Sequence, residues 1–194
     1  MKRFFDFFAS LILLIVLSPL FLIVSLIIII DDGVPVIFSQ PRVGMGNELF
    51  NIYKFRTMKN GTRNVASGNL EESGDCITKS GRFLRKTSID EFPQLVNILT
   101  GKMSFVGPRP LIPEEKEIRE LREKYNVYSV RPGMTGLAQI NGRDNLTDEE
   151  KAEFDRQYVE KHTIMLDIKI MFRTVFAVLT GRDVVEGRDK SDKR

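Results

Sequence analysis

The residues best suited to do chemistry in this chain are two adjacent carboxylates, Asp90 and Glu91, in the stretch TSIDEFPQLVNILTGKMSFVGPRP. An ionised carboxylate can attack phosphorus as a covalent nucleophile or bind a hard divalent cation, but it cannot act as a general acid. A structural explanation competes, because Ser88 and Glu91 have the spacing of a capping box at the start of a helix. The pair by itself therefore leaves a catalytic role and a purely capping role open.

Four arginines accompany the carboxylates, and their positions favour an anionic ligand. Arg85 precedes the pair, Arg109 lies in Gly-Pro-Arg-Pro, and Arg131 and Arg143 lie in the turns VRPGMTG and INGR. A guanidinium presents a planar, permanently charged fork of donors that matches phosphate oxygens. A helix N-terminus also attracts phosphate, and with nearby arginines it is expected to lower the pKa of Asp90. Two acids among several arginines indicate a metal–diphosphate site.

Composition narrows the class of partner. The formal net charge of +3 and the isoelectric point of about 9.0 are weak indications of an anionic partner, such as a phosphate, a nucleotide or a lipid headgroup. No lysine-rich run is present, so nucleic acid is not expected as a partner. A single cysteine, Cys76, and a single histidine, His162, cannot form an internal disulfide or the usual zinc ligand set. Cys76 is either a nucleophile or, as we favour, a loop thiol without function.

The N-terminal segment has the length and composition of a membrane element. Residues 7–30 carry no charge and exceed the roughly 20 apolar residues that a spanning helix needs. The run is too long for a cleavable signal peptide, and no small-residue cleavage site follows it. Ser18 and Pro19 interrupt the run, because proline removes a backbone hydrogen bond and forces a kink. The serine hydroxyl can bond a freed carbonyl.

Positive charges on both sides of this segment bear on its topology. The flanking cations are Lys2 and Arg3 before it and Arg42, Lys54, Arg56 and Lys59 after it. Positively charged flanks tend to stay in the cytoplasm, so both ends favour the same side. A re-entrant hairpin satisfies both flanks, whereas a kinked spanning helix also agrees with the apolar length. From the residues alone the two topologies are equally supported.

The rest of the chain predicts a mainly helical α+β fold with one β-hairpin. In the hairpin Val34, Val36 and Phe38 alternate on the first strand, Gly44 and Gly46 mark the turn, and Phe50, Ile52, Tyr53 and Phe55 form the return strand. Residues 59–81 are rich in glycine, serine, asparagine and glutamate, and they predict a loop.

Four helices are predicted after this loop. The first runs from Ser88 to about Leu99, and the second is charged and opens at Pro113. The third begins at a capping box formed by Thr147 and Glu150. The last, residues 165–179, is mostly apolar and is compatible with either the core or the membrane interface. From residue 182 on the tail is charged and is expected to be loose.

Several ordered motifs resemble the bacterial sugar transferase family, the monotopic phosphoglycosyl transferases. They are YKFRTM, SIDEFPQLVNILTGKMSFVGPRPLIPEE, VRPGMTGLAQINGR and LDIKIMF, together with the Lys-Arg-Phe-Phe-Asp start and the break at Ser18 and Pro19. The resemblance covers essentially the whole chain, and the common order of the motifs is specific although each motif alone is weak. The length is similar to that of the minimal, small form of the family, which lacks additional membrane helices.

The resemblance implies a specific reaction. Members transfer a phosphosugar from a nucleotide diphosphosugar, usually a UDP-sugar, to a polyprenol phosphate such as undecaprenyl phosphate, releasing UMP and starting lipid-linked glycan biosynthesis. By analogy, Asp90 forms a covalent aspartyl phosphosugar, and Glu91 together with Asp90 holds Mg²⁺. The expected substrate-binding residues are Pro108, Arg109 and Pro110, which are implicated in nucleotide binding, and Arg85, Arg131, Arg143 and Asp167.

The resemblance also implies an arrangement at the membrane. The break at Ser18 and Pro19 corresponds to a re-entrant helix, so residues 1–32 are expected to form a re-entrant membrane hairpin. Residues 33–181 would form a catalytic domain on the cytoplasmic face of the bacterial inner membrane, in a monotopic topology with amphipathic interfacial helices against the phospholipid bilayer. Residues 182–194 would form a charged tail, and a homodimer is left open. Two rival functions are a glycosyltransferase that releases UDP and a membrane-anchored scaffold without chemistry.

Overall fold

The computed structural model describes residues 1–62, 76–142 and 145–180. Arg143, most of the predicted loop over residues 59–81 and the predicted tail from residue 182 on therefore lie outside the described residues. Within those residues the fold is mainly helical and contains the predicted antiparallel β-hairpin. It also contains a short parallel strand pair that the sequence did not predict.

Two helices form the apolar N-terminal segment, α1 (Lys2–Val16) and α2 (Ser18–Asp32), and they are bent by 60° relative to each other. The break coincides with Ser18 and Pro19, as predicted, and the Ser18 hydroxyl donates to the carbonyl of Ile15 at 2.8 Å. Neither helix, nor any other in the described ranges, is by itself long and apolar enough to cross a membrane. As a bent pair, α1 and α2 together meet that criterion by length and composition alone.

The β-hairpin consists of β1 (Ile37–Val43) and β2 (Leu49–Phe55), with Ile37 opposite Phe55. A 3₁₀ turn at Met45–Asn47 joins the strands, and Gly46 in it has a positive φ of 68°, which glycine adopts without strain. The predicted hairpin and its glycine turn are confirmed, but Val34 and Val36, which were predicted on the first strand, lie before it. The strand alternation places Phe50 and Ile52 in the core, packed against α4 (Gln94–Leu99).

A helix that the sequence did not predict, α3 (Lys79–Thr87), precedes the two carboxylates. Thr78 caps it, because its Oγ1 accepts from the backbone N–H of Gly81 at 2.9 Å. It ends at Ser88, which has a left-handed backbone with φ of 56° and whose N–H donates to the carbonyl of Arg85. The predicted loop therefore ends before Lys79.

The predicted helix from Ser88 to Leu99 was wrong in its first half. Residues Ile89–Glu91 form a separate 3₁₀ turn, and α4 begins only at Gln94. The capping box predicted for Ser88 and Glu91 does not form, because Ser88 terminates α3 and makes no side-chain cap. The two carboxylates thus lie in a tight turn between two helices.

The parallel pair joins β3 (Ser104–Val106) to β4 (Gly133–Thr135). A Cβ atom on Gly133 would lie 2.1 Å from the backbone nitrogen of Gly107, so the two backbone segments approach too closely for a side chain at Gly133. This contact joins the Gly-Pro-Arg-Pro segment to the turn VRPGMTG, which are far apart in sequence.

The remaining helices are α5 (Lys116–Lys124), α6 (Leu137–Ile140), α7 (Asp148–Lys161) and α8 (Ile164–Thr180). The predicted charged helix begins at Lys116 rather than at Pro113. The capping box of Thr147 and Glu150 is confirmed, with Thr147 N–H donating to Glu150 Oε2 at 2.8 Å and Glu150 N–H donating to Thr147 Oγ1 at 3.2 Å. 

Helix α8 has two different faces. Ile170 is fully buried and packs with Val106 and Tyr158, whereas Met165 and Phe172 are 75% and 73% exposed. The sequence left open whether this helix belongs to the core or to the membrane interface. In the structure one face of α8 belongs to the core, and the other face presents apolar side chains outward.

Candidate active site

A pocket lies where the hairpin, the carboxylate turn and the Gly-Pro-Arg-Pro segment meet. Its lining residues are Arg42, Ile52, Lys54, Glu91, Gln94, Arg109, Pro110, Gly133 and Met134. The hairpin, the region from the 3₁₀ turn to α4, the loop after β3, and β4 each contribute to it. Segments that are far apart in the sequence therefore converge beside the predicted carboxylate pair.

The two carboxylates share one 3₁₀ turn but differ in their surroundings. Glu91 lines the pocket, and its Oε1 lies 2.8 Å from Nζ of Lys54 on β2. Asp90 is only 8% exposed, in a turn that packs against α3 and β2. A ligand in the pocket would therefore lie against Glu91 and Lys54, with Asp90 one residue away.

Positive charge dominates the pocket wall. The described lining residues include three cations but only one carboxylate, that of Glu91. The cations are Arg42, Lys54 and Arg109. Burial, followed by the neighbouring Arg109 guanidinium, lowers the pKa of Arg42 to about 10. Such a wall favours an anion, and its excess positive charge suits a diphosphate group.

Backbone hydrogen bonds hold the Pro-Arg-Pro segment in place. Four successive carbonyl oxygens accept from three parts of the fold, namely β4, α5 and β1: Pro108 from Gly133 N–H (2.9 Å), Arg109 from Arg122 Nη1 (2.7 Å), Pro110 from Arg42 Nη1 (3.3 Å) and Leu111 from Val43 N–H (2.9 Å). The two prolines have no N–H to donate, so these acceptor contacts position the segment. They form a fixed support for the Arg109 side chain at the pocket wall.

The donor to the Arg109 carbonyl belongs to a buried ion pair. Arg122 of α5 is 3% exposed and Asp155 of α7 is 1% exposed, and Nη2 of Arg122 lies 2.5 Å from Oδ2 of Asp155. Burial raises the pKa of the Asp155 carboxyl, and the Arg122 guanidinium opposes that rise. Helices α5 and α7 thus help to hold the Arg109 backbone at the pocket wall through Arg122 and Asp155.

Two of the predicted arginines make contacts outside the pocket wall. Arg85, in the last turn of α3, donates from Nε to Oγ1 of Thr57 at 2.9 Å, close to the carboxylate turn in sequence. Arg131 donates from Nε to the carbonyl of Gly101 at 2.8 Å, beyond the C-terminal end of α4. Arg131 is therefore at the opposite end of α4 from the carboxylates. The substrate roles of both arginines remain predictions.

Asp167 joins α8 to the N-terminus rather than facing the pocket wall. Its Oδ2 lies 2.5 Å from Nζ of Lys2, and its Oδ1 accepts from the Tyr158 hydroxyl at 2.7 Å. Burial and the bond to Asp167 raise the pKa of Tyr158. The predicted substrate role of Asp167 remains a prediction, as does that of Arg143, which lies outside the described residues.

Three polar or charged side chains of the pocket lining were absent from the predicted site, namely Arg42, Lys54 and Gln94. A signal for two of them was present in the hairpin. Alternate residues of a strand share a face, and the observed pairing sets Arg42 opposite Phe50 and Lys54 opposite Phe38. Arg42, Ile52 and Lys54 thus lie on one face of the hairpin, which a register drawn from the glycine turn could have revealed.

The described acids do not form a preformed metal cage. Within residues 1–62, 76–142 and 145–180, no group of three or more His, Cys, Asp or Glu side chains is placed to hold a metal ion. Mg²⁺ often binds instead through one or two carboxylates, with substrate phosphates and water completing its shell. Glu91, which lines the cationic wall and is ion-paired with Lys54, and its sequence neighbour Asp90 supply the number of carboxylates that this mode needs.

The family model described as bacterial sugar transferase matches residues 1–181. The chain belongs to the bacterial sugar transferase family. An undecaprenyl-phosphate glucose phosphotransferase from Komagataeibacter xylinus is 42% identical to this chain over 195 residues, covering 94% of this chain and 36% of the relative. A UDP-glucose:undecaprenyl-phosphate glucose-1-phosphate transferase from Escherichia coli is 39% identical, covering 91% of this chain and 39% of the relative.

Other relatives match this chain over most of their own length. A Bacillus subtilis protein named uncharacterized sugar transferase EpsL is 40% identical, covering 95% of this chain and 90% of the relative. The chain thus spans less than two fifths of the Komagataeibacter and Escherichia relatives and most of EpsL.

Proposed function

We propose that this protein transfers a phosphosugar from a UDP-sugar to undecaprenyl phosphate and thereby starts a lipid-linked glycan. The Escherichia relative is named for glucose-1-phosphate transfer from UDP-glucose, and a Salmonella typhimurium relative is named as an undecaprenyl-phosphate galactose phosphotransferase. The observation that carries the proposal for this chain is the cationic pocket lined by Glu91, whose neighbour in the sequence is Asp90. The sugar is left unassigned, because the two relatives differ in it.

The proposed nucleophile is the Asp90 carboxylate. Its oxygen attacks the β-phosphorus of the donor, forming a new P–O bond, while the bond from that phosphorus to the bridging oxygen breaks and UMP leaves with the electron pair. A phosphate oxygen of undecaprenyl phosphate then attacks the same phosphorus and displaces the Asp90 carboxylate. Both leaving groups are stable anions, so neither step needs a general acid.

The pocket residues position the donor for this attack. In this proposal Arg109, which lines the pocket, binds the nucleotide end of the diphosphate, and Lys54 orients Glu91 through their ion pair. Asp90 and Glu91 would hold Mg²⁺, which when bound neutralises phosphate charge and favours departure of the nucleotide.

We also propose that residues 1–32 form a re-entrant membrane hairpin and residues 33–181 a catalytic domain on the cytoplasmic face of the inner membrane. Contacts at both ends of the helix pair support this arrangement. Arg3 of α1 donates to the carbonyls of Ile98 and Leu99, each at 2.6 Å. Arg56 donates to the carbonyls of Asp32 at 2.8 Å and Gly33 at 2.7 Å, at the end of α2.

These contacts favour re-entry over spanning, because the start of α1 and the end of α2 are both tied to the same domain. The arrangement also suits the reaction. A UDP-sugar is soluble, whereas undecaprenyl phosphate is held in the bilayer, so their phosphates can meet only at the headgroup plane.

The first test identifies the released nucleotide. Purified protein in lipid nanodiscs receives Mg²⁺, undecaprenyl phosphate and a panel of UDP-sugars, with Asp90→Asn and the surface variant Asp148→Asn compared in parallel. We expect UMP from one or more donors with the wild type and Asp148→Asn, and at least a 100-fold loss with Asp90→Asn, about 2.7 kcal/mol in barrier height. EDTA should stop turnover, and added Mg²⁺ should restore it.

Other outcomes decide against specific parts of the proposal. Release of UDP would mean that only the sugar is transferred, which is the rival glycosyltransferase hypothesis. Turnover by a folded Asp90→Asn variant, checked by its melting temperature, would exclude the covalent step. Without acceptor, a donor labelled in the sugar should leave its label on Asp90 in the wild type but not in the variant.

A further inference from the structure

Arg42 is held at the pocket wall by both of its terminal nitrogens. Nη1 donates to the carbonyl of Pro110 at 3.3 Å, and Nη2 donates to Oε1 of Gln40 at 2.9 Å. Nε is buried and has no hydrogen-bond partner within the described part of the chain. A guanidinium has five N–H donors, so Nε–H and one hydrogen on each terminal nitrogen are left over. An arginine that is fixed in orientation and keeps spare donors is preorganised for a ligand.

The surroundings of Arg42 favour an anionic ligand. Arg109 lines the same pocket and acts on Arg42 as a neighbouring positive charge. Burial and Arg109 lower the pKa of Arg42. The carboxylates of Glu91, Glu114 and Glu115 raise it, each by less than burial or Arg109 lowers it. Two guanidinium groups that are kept close together and partly away from water repel each other, and an anion in contact with both relieves that repulsion.

We propose that Arg42 binds a phosphate group of the nucleotide diphosphate donor and shares that group with Arg109. This inference rests on the proposed function and deepens it, since it assigns a phosphate-binding residue on the hairpin. Because Arg42 also bonds the Pro110 carbonyl, it connects ligand binding directly to the Pro-Arg-Pro segment. A phosphate bound here is held between the hairpin and that segment.

Arg119 provides a closely matched control. Its Nη1 donates to the carbonyl of Pro113 at 2.8 Å, its Nη2 donates to Oδ1 of Asn47 at 3.1 Å, and its Nε is also buried without a partner among the described residues. Arg119 thus shares the backbone contact, the side-chain amide contact and the buried Nε of Arg42, but it does not line the pocket. A purely structural effect of losing such an arginine should appear in both positions.

The experiment measures binding of UDP, UMP and uridine by calorimetry to wild type, Arg42→Gln, Arg42→Lys and Arg119→Gln in detergent. We expect Arg42→Gln to weaken UDP binding by roughly 10- to 100-fold, the range for hydrogen bonds to charged groups. Uridine affinity should change by less than about threefold, and Arg119→Gln should bind UDP like the wild type. The UDP affinity of Arg42→Lys should lie between those of the wild type and Arg42→Gln, because lysine keeps the positive charge but lacks the planar set of guanidinium donors. Melting temperatures with and without UDP provide a second readout.

Each result has a distinct meaning. If the wild type binds UDP and Arg42→Gln binds it equally well, the Arg42 inference is overturned while the proposed function stands. Equal weakening of UDP and uridine, or the same loss in Arg119→Gln, would show a structural role and also overturn it. If the wild type binds no nucleotide of the panel, the proposed function itself fails, and the inference fails with it.

Discussion

At the residue scale, the contact that most needs explanation is the one between Arg122, Asp155 and the carbonyl of Arg109. Desolvating a charged pair is costly, and a hydrophobic pair of similar size is often equally stabilising. The pair in this fold has a further use, since Nη1 of Arg122 donates to the Arg109 carbonyl while Nη2 bonds Asp155. We interpret Asp155 as the group that orients Arg122, and Arg122 as a positioning residue for Arg109.

This interpretation predicts that stability and donor binding can be separated. Arg122→Met should destabilise the fold by about 3–5 kcal/mol, because it leaves the Asp155 charge buried without its partner. The double variant Arg122→Met/Asp155→Leu should recover most of that loss but should still bind UDP several-fold more weakly than the wild type. Urea unfolding and calorimetry measure the two quantities. A double variant with both normal stability and normal UDP affinity would contradict the positioning role.

The single variant should also depend on pH in a defined direction. Burial raises the pKa of Asp155, and without Arg122 nothing in the pair opposes that rise. An acid whose pKa is higher in the folded than in the unfolded state binds more protons when folded, so stability falls as pH rises through that window. The unfolding free energy of Arg122→Met should therefore increase as the pH is lowered from 7 towards the unfolded-state pKa of about 4, and the double variant should not show this trend.

Residue types alone predicted only part of the site. Asp90, Glu91 and Arg109 could be singled out because their motifs combine acids, proline and arginine in short stretches. Arg42 could not, since an isolated arginine in a strand forms no local pattern and becomes a pocket residue only through the strand register. The glycine turn at Arg131 suggested a ligand, and in the structure its Nε bonds the backbone of Gly101, so its substrate role remains a prediction.

At the element scale, one sequence pattern succeeded once and failed once. The pattern of Ser or Thr followed by Glu three residues later forms a capping box at Thr147 but not at Ser88. The difference is what precedes each residue: Ser88 is already the left-handed end of α3. The Ser88 pattern alone does not reveal that another helix, α3, ends at the same position. The parallel pairing of β3 and β4 was missed because two three-residue strands carry no periodic signal.

The break between α1 and α2 gives a prediction at this scale. Ser18→Ala/Pro19→Ala restores a backbone donor and removes the bond to Ile15, so α1 and α2 should merge towards one continuous helix. A helix over residues 2–32 would be about 46 Å long, more than the roughly 30 Å of the hydrocarbon core. Labelling in membrane vesicles compares the single native cysteine, Cys76, with a cysteine appended before Met1.

In the wild type both cysteines should react from the same side, and in the double variant the appended cysteine should move to the opposite side. Ser25→Ala is the matched control, because its hydroxyl also bonds a helix carbonyl, that of Phe21 at 2.6 Å, but away from the break. Same-side labelling of the double variant would show that the break does not determine the topology.

At the scale of the whole molecule, apolar side chains are exposed on the N-terminal helices and on α8, and we interpret them as a membrane-facing surface. On α1 and α2, Phe4, Ile12 and Ile23 are more than half exposed, and on α8 so are Phe172 and Phe176. Lys2 and Asp167 tie α1 to α8, so the two regions are linked by an ion pair. A surface of this composition is unusual for a protein in water and is typical of contact with lipid or a partner.

The composition of the chain makes a clean test of that surface possible, because it contains no tryptophan. Phe172→Trp places a single fluorescent reporter on the outward face of α8, and Glu120→Trp places one on the exposed face of α5. In nanodiscs, we expect the Phe172→Trp emission to be blue-shifted and quenched by lipids brominated on their acyl chains. Quenching should be strongest for bromines near the headgroup end, because an interfacial helix enters only about 5–10 Å.

The Glu120→Trp reporter should instead be quenched by acrylamide from the water and be insensitive to brominated lipid. Both variants replace exposed residues, so neither should change the melting temperature by more than about 3 °C. If the Phe172→Trp reporter behaves like the Glu120→Trp reporter, α8 does not touch the bilayer. The membrane contact of this domain would then rest on α1 and α2 alone, and the outward face of α8 would have to be covered by something other than lipid.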